Sequence, residues 1–163
     1  MSERFNVIFL DFDGVLNNTP WLAQSGVDET EVSQLDPRCC ELLQNLCSET
    51  NTRIVISSSW RLLHPLVDLR GFLRRRGVTV PVLGKTPATG KERGHDIQMW
   101  LDAASDIYGT IEGVAILDDD CDMVHLTPWL VRTYRDRGLT PWECDKVKEI
   151  LSSRHLPAMK ART

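Results

Sequence analysis

Five short apolar runs, separated by amphipathic helical patterns, constrain this chain more than any other feature. Val7-Ile8-Phe9-Leu10, Ile54-Val55-Ile56 and Val114-Ala115-Ile116-Leu117 carry no polar residue, and Val78 to Leu83 and Leu130 to Thr133 are rich in β-branched side chains. Such runs read as strands buried on both faces, which requires helices on both sides of the sheet. The helices are there in the pattern. Asp36-Pro37 is an N-cap followed by proline at the first helical position, and Cys39, Leu42, Leu43, Leu46 and Cys47 then form one apolar stripe. Pro65 to Arg76 places Leu66, Leu69, Phe72 and Leu73 inward and stops at Gly77, with Arg70, Arg74, Arg75 and Arg76 on a solvated face. Lys91 to Tyr108 buries Ile97, Trp100, Leu101, Ala104 and Tyr108. Thr140-Pro141-Trp142-Glu143 is a capping box that opens a last helix with Val147, Ile150 and Leu151 toward the sheet. Strand and helix alternate, which predicts an α/β fold with a central parallel sheet between two helical layers.

The chemistry collects where three of these strands end. Val7 to Leu10 runs into Asp11-Phe12-Asp13-Gly14, and extended-chain alternation turns both carboxylates to one side. The second strand, Arg53 to Ser57, ends in Ser57-Ser58-Ser59-Trp60-Arg61, and the fourth ends in Asp118-Asp119-Asp120-Cys121-Asp122. Ligands bind open α/β sheets at the carboxyl ends of the strands. So many acids at one edge require a cation, and a metal is the economical one. Lys91 and Arg93 fall in a first helical turn, where the macrodipole favours acids, so an anion is expected beside them.

These residue types suit phosphomonoester hydrolysis. Asp11 is placed to attack phosphorus as a carboxylate nucleophile, and Asp13 to protonate the leaving oxygen and later deprotonate water. Ser58 would donate to a phosphoryl oxygen, and Arg93 or Lys91 would hold the charge that spreads in transfer. Mg2+ held by Asp11 and the acids after the fourth strand would offset the repulsion between nucleophile and phosphate. A calcium loop is excluded, because the third oxygen ligand is missing and Leu22 holds the twelfth position. A phosphate-receiver domain would need adjacent acids after the first strand and its acceptor after the third. A non-catalytic phosphate-binding module would have no use for Asp13 beside the nucleophile.

Asp11-Phe12-Asp13-Gly14-Val15-Leu16 resembles the first motif of the haloacid dehalogenase-like (HAD) phosphohydrolases. The Ser at the end of the second strand resembles their second motif, matched by Ser58, or by Ser57 or Ser59 if the register shifts. A cation near a helix start resembles the third, with Arg93 preferred over Lys91 and Lys85. Asp118 and Asp119 resemble the acidic fourth, with Asp122 a further candidate ligand. Ser58-Ser59-Trp60-Arg61, Thr86-Pro87, Arg93-Gly94-His95-Asp96-Ile97 and Gly138-Leu139-Thr140 are similar to the HAD domains of Swiss Army Knife RNA-repair-type proteins. The resemblance implies a Rossmann-like three-layer α/β/α sandwich and Mg2+ bound by Asp11, Asp118, Asp119 and the backbone carbonyl of Asp13. It implies Asp11, Asp13, Ser58 and Arg93 as catalytic residues, and Gly14, Ser59, Trp60, Arg61 and Lys91 against the substrate.

Residues 1–156 are expected to form one HAD-like domain, with 157–163 a frayed tail. Asn17 to Gln34 reads as a polar loop too short to bury a core, and Trp60 to Lys91 is consumed by one helix, one strand and a loop. No substantial cap domain is therefore expected, and Trp21, Trp60 or Arg61 should sit at an open mouth. An open mouth favours a phosphorylated macromolecular end, such as a polynucleotide terminal phosphate, over a small-molecule substrate. The net charge of −4 points to contact with an end rather than grip along a backbone. Five cysteines without a Cys-x-x-Cys pair, no leader and no long apolar run indicate a cytoplasmic protein with no membrane contact. No stable protein partner is inferable.

Overall fold

The computed structural model describes residues 2–24, 26–104 and 107–160. In chain order these form β1 (Arg4–Leu10), α1 (Thr19–Leu22), α2 (Glu31–Gln34), α3 (Pro37–Glu49), β2 (Thr52–Ile56), a 3₁₀ turn (Ser59–Leu62), α4 (Leu66–Arg75) and β3 (Val82–Lys85). There follow α5 (Arg93–Ala104), β4 (Thr110–Asp118), a second 3₁₀ segment (Val124–Trp129), β5 (Leu130–Arg132) and α6 (Pro141–Ser153). The strands make one sheet in the order β3-β2-β1-β4-β5, and every pairing is parallel.

Alternation along the strands sorts their side chains into two cores. Ile8, Leu10, Ile54, Ile56, Ala115 and Leu117 face Leu43 of α3, Leu69 of α4 and Val147 of α6. Phe5, Val7, Phe9, Val55, Val114 and Ile116 face Ile97, Trp100 and Leu101 of α5. These are the three layers of a Rossmann-like α/β/α sandwich. The aromatic members add edge contacts, since Phe9 meets Trp100 at 5.5 Å between ring centroids with planes 81° apart.

Where pattern and structure differ, local hydrogen bonding decides. The third strand begins at Val82, not Val78. Gln44 Oε1 of α3 takes the N–H groups of Thr79 and Val80 (2.8 and 3.3 Å), and Pro81 has none to give a ladder. Gly84 and Lys85 then pair with β2 instead of opening a loop. Residues 17–34 contain two single-turn helices. Asn18 caps α1 through Trp21 N–H, and Thr30 and Ser33 cap α2 reciprocally. Nothing among the described residues there forms an inserted cap. Beyond Leu156 the chain does not fray at once. Met159 packs on the α5 core, Gln98 Nε2 donates to the Ala158 carbonyl (2.8 Å), and Lys160 N–H donates to Asp102 (3.0 Å). Residues 161–163 lie outside the described residues. Among those described, no helix is long and apolar enough to cross a membrane.

Candidate active site

Strand order places β1 between β2, reached first, and β4, reached after the chain reverses its direction across the sheet. The crevice at such a switch point is where open α/β sheets hold ligands. The ladders extend one residue past the strands there. Ser57 N–H donates to the Leu10 carbonyl (2.9 Å), Asp11 N–H to that of Leu117 (3.0 Å), and Thr86 N–H to that of Ile56 (2.9 Å). Thr86, Ser57, Asp11 and Asp118 therefore stand side by side as one polar rung at the carboxyl edge.

Asp11 and Asp118 are buried, 4% and 0% exposed. One guanidinium nitrogen serves both, with Arg93 Nη1 3.1 Å from Asp11 Oδ2 and 2.6 Å from Asp118 Oδ2. Asp11 Oδ1 accepts the Phe12 N–H (2.8 Å) and Asp118 Oδ1 that of Asp120 (2.9 Å). One cation does not balance two buried anions. Burial, reinforced by the charge of Asp118 and opposed by Arg93, pushes Asp11 up to about 8. Asp118 is pushed up as well, chiefly by burial, with Arg93 opposing. The pair holds a proton readily, which is the electrostatic signature of a place for more positive charge. Carboxylate oxygens of Asp11, Asp118 and Asp119 all lie within 4.8 Å of one another.

Loop chemistry puts these groups together. Gly14 has φ +78°, and a Cβ there would stand 2.5 Å from Asp119 Oδ2, so only glycine lets the first loop pass over the acidic one. Thr133 Oγ donates to the Gly14 carbonyl (2.7 Å) and fixes that passage from β5. Arg93 is aimed by Asp122, whose Oδ2 accepts the Arg93 N–H (3.2 Å) and whose carbonyl accepts that of Gly94 (3.1 Å). A Cβ on Gly94 would fall 2.0 Å from the Met123 carbonyl, so α5 begins in direct contact with the acidic loop. The acidic run thus divides its labour: Asp118 and Asp119 join the cluster, and Asp122 satisfies the start of α5. That is also why the helix starts at Arg93 and not at Lys91.

The remaining predicted residues are placed less uniformly. Asp13 is partly buried, and its two carboxylate oxygens accept from Asn17 Nδ2 and Trp60 Nε1. Its side chain is not in the Asp11–Asp118–Asp119 group. Register puts Ser57, not Ser58, beside Asp11. The Ser57 hydroxyl is buried and has no hydrogen-bond partner among the described residues, whereas Ser58 Oγ accepts the Trp60 N–H (3.2 Å) as the cap of the 3₁₀ turn. Ser59 is exposed. Trp60 is not at the mouth. It packs edge-on against Phe12 at 5.1 Å and Phe72 at 6.2 Å. Arg61 is turned inward, with a guanidinium 3.0 Å from Asp96 and bonded to the Ser57 and Ser58 carbonyls (both 3.0 Å). It braces the end of β2 against α5 where a substrate contact was expected. Lys85 Nζ is held by the Arg61 and His64 carbonyls (3.0 and 3.3 Å), and Lys91 is exposed without an ion pair among the described residues. Of the three candidate cations, Arg93 is the one at Asp11. Trp21 bonds Ser33 within the 17–34 segment (3.0 Å).

Pattern reading missed Asn17, Thr133 and Arg135, and it read Asp122 as a candidate ligand where the structure has it accepting from the start of α5. Arg135 is 77% exposed and pairs with Asp119 Oδ2 at 2.6 Å. Together with Asp13, Gly14, Asn17, Asn18, Thr19 and Leu22 it lines a cleft of about 240 Å³ beside the acids.

An acidic cluster on the β1–β4 crevice, an arginine from the following helix and a hydroxyl from β2 form one constellation, and comparison with known families agrees with it. The model of the HAD domain in Swiss Army Knife RNA repair proteins matches residues 7–144. The chain belongs to this family. Membership suggests a phosphohydrolase, and HAD domains generally use Mg2+. The buried triad of this HAD domain supplies the oxygen donors such an ion prefers. No curated protein and no solved structure gives a significant match.

Proposed function

We propose that this HAD domain is a Mg2+-dependent phosphomonoesterase that works through an aspartyl-phosphate on Asp11. The observation that carries the reading is the buried Asp11–Arg93–Asp118 group, in which two carboxylates compete for one guanidinium. The donors fit a hard dication. Asp11, Asp118 and Asp119, with the Asp13 carbonyl that the family resemblance adds, would hold it. When bound, it offsets the charge repulsion between an anionic nucleophile and a phosphate dianion.

Every other part is supplied by the chain. Asp11 attacks phosphorus as the bond to the leaving oxygen breaks, and Asp13 gives that oxygen its proton. Water then attacks the aspartyl-phosphate, Asp13 takes its proton, and inorganic phosphate leaves with Asp11 restored. The unpartnered Ser57 hydroxyl donates to a phosphoryl oxygen, and Arg93 offsets the negative charge on the transferring group. The substrate we favour is the terminal phosphate of a polynucleotide. The absence of an inserted cap among the described residues, the cleft beside Asp13 and the family description support it. The 17–34 segment is a flap at one side of the site, not a lid with its own core.

Hydrolysis of p-nitrophenyl phosphate with and without Mg2+, by wild type and Asp11→Asn, tests the chemistry. Turnover that needs both the metal and Asp11 is expected, and full activity in EDTA or in the variant refutes it. A terminally phosphorylated oligonucleotide against its mononucleotide tests the substrate. A preference for the mononucleotide by orders of magnitude refutes the macromolecular reading alone.

A further inference from the structure

Asp13 must do its work from a fixed place, and the chain holds it from two sides. Asn17 Nδ2 donates to Asp13 Oδ1 (2.9 Å), and Trp60 Nε1 donates to Asp13 Oδ2 (3.1 Å). Neither donor can turn away easily. Asn17 is 1% exposed, and its Oδ1 accepts the Gly14 N–H (2.9 Å), which fixes the orientation of its amide. Trp60 is 8% exposed and wedged between Phe12 and Phe72. The clamp thus joins the loop after β1 to the 3₁₀ turn after β2.

We infer that Asn17 and Trp60 are positioning residues for proton transfer by Asp13, an inference that rests on the phosphohydrolase reading above. An untethered aspartate has free χ1 and χ2 rotations that carry its carboxylate away from the leaving oxygen. With one donor on each oxygen, only one orientation keeps both bonds, and misplacement of about 1 Å is enough to cost ~100-fold in rate. The partners are also chosen by chemistry. An indole N–H only donates, and the Asn17 carbonyl is already engaged by Gly14. No acceptor in the clamp therefore competes for the proton of Asp13, which is left to the oxygen of the departing alcohol or to the hydrolytic water. Trp60, matched by family resemblance to a substrate contact, acts here through Asp13.

Trp60→Phe keeps an aromatic ring against Phe12 and Phe72 and removes the indole N–H along with some packing volume. Proton donation matters most when the leaving oxygen is basic. We expect kcat for an alkyl phosphate to fall about 10-fold, the ~1.4 kcal/mol worth of a hydrogen bond to a charged acceptor, with KM within twofold. For p-nitrophenyl phosphate the fall should stay within about 2-fold, because that leaving group needs little proton donation. In an Asp13→Asn background, Trp60→Phe should cost nothing further, since residues that act as one unit are not additive. Asn17→Ala, approached from the other oxygen, should repeat this pattern and covers the case in which Trp60→Phe fails to fold. Equal losses across leaving groups, or losses that add to those of Asp13→Asn, overturn the clamp and leave the phosphohydrolase reading intact. If wild type turns over neither ester, or if Asp13→Asn leaves both rates unchanged, the reading beneath it falls as well.

Discussion

Arg93→Met should destabilise the metal-free protein in a way that depends strongly on pH. The guanidinium is the one cation within ion-pair distance of both Asp11 and Asp118 among the described residues. Methionine fills similar volume without charge. Breaking a buried pair by removing one partner costs ~3–5 kcal/mol, because the other charge stays buried and unpaired. That holds only while the carboxylates are ionised. Asp11 already sits above its unfolded value of 3.8, at about 8 in the folded chain, so the folded state keeps a proton that the unfolded state releases. Stability of metal-free wild type therefore falls as pH rises from about 4 to about 8. Without Arg93 both carboxylates move further up, so the decline steepens and continues to higher pH. Near pH 5 Asp11 is protonated in both proteins, so the penalty should be smaller and should come mainly from Asp118, left without its guanidinium partner. Urea unfolding in EDTA at pH 5 and pH 8, followed by tryptophan fluorescence, measures the difference. Mg2+ should return part of what is lost at pH 8. An equal penalty at both pH values, unaffected by Mg2+, would refute the account of two buried anions competing for one cation.

Two other substitutions test the geometry of the loops. Gly14→Ala forces a left-handed φ on a side chain, at ~1–2 kcal/mol, and pushes Asp119 out of its place. Thermal unfolding should show the loss and calorimetric titration a weaker Mg2+ affinity; unchanged affinity would mean that Asp119 is not a ligand. Ser57→Ala should lower kcat/KM by about 100-fold with little effect on stability, since its hydroxyl has no protein partner among the described residues. Ser58→Ala should instead cost ~1 kcal/mol of stability, as the loss of a cap does, with activity within a few-fold. The reverse pattern would restore Ser58 to the phosphoryl contact.

The layers were legible because apolar runs and helical stripes repeat a short grammar, and Asp36, Pro37 and the Thr140 capping box marked helix starts plainly. The first and fourth strand ends were legible for the same reason, since a carboxylate after a buried strand has few bland explanations. Three features were not. The third strand starts four positions later than its pattern because Gln44, distant in sequence, takes the backbone groups that a ladder would need. Among three consecutive serines, only sheet register distinguishes the one beside Asp11. Arg61 and Trp60 read as polar or amphipathic groups free for substrate, but each has a carboxylate partner, buried Asp96 or partly buried Asp13, that lies far along the chain. Asn17 left a faint mark, an amide four residues after the second aspartate. Asp122 was hidden among its neighbours, because acids that bind a cation and acids that cap a helix look alike in one dimension.

The close seating of Gly94 on the Met123 carbonyl has a mechanical consequence. With Asp122 bonded to the first two amides of α5, the helix start and the acidic loop cannot slide past one another. Arg93, Asp118 and Asp119 then travel as one stiff body. The opposite bank of the cleft is made by Thr19 and Leu22 of the single-turn α1 and by the exposed Arg135. On the phosphohydrolase reading, the charged half of the crevice would keep its spacing while a substrate leaned on the other bank.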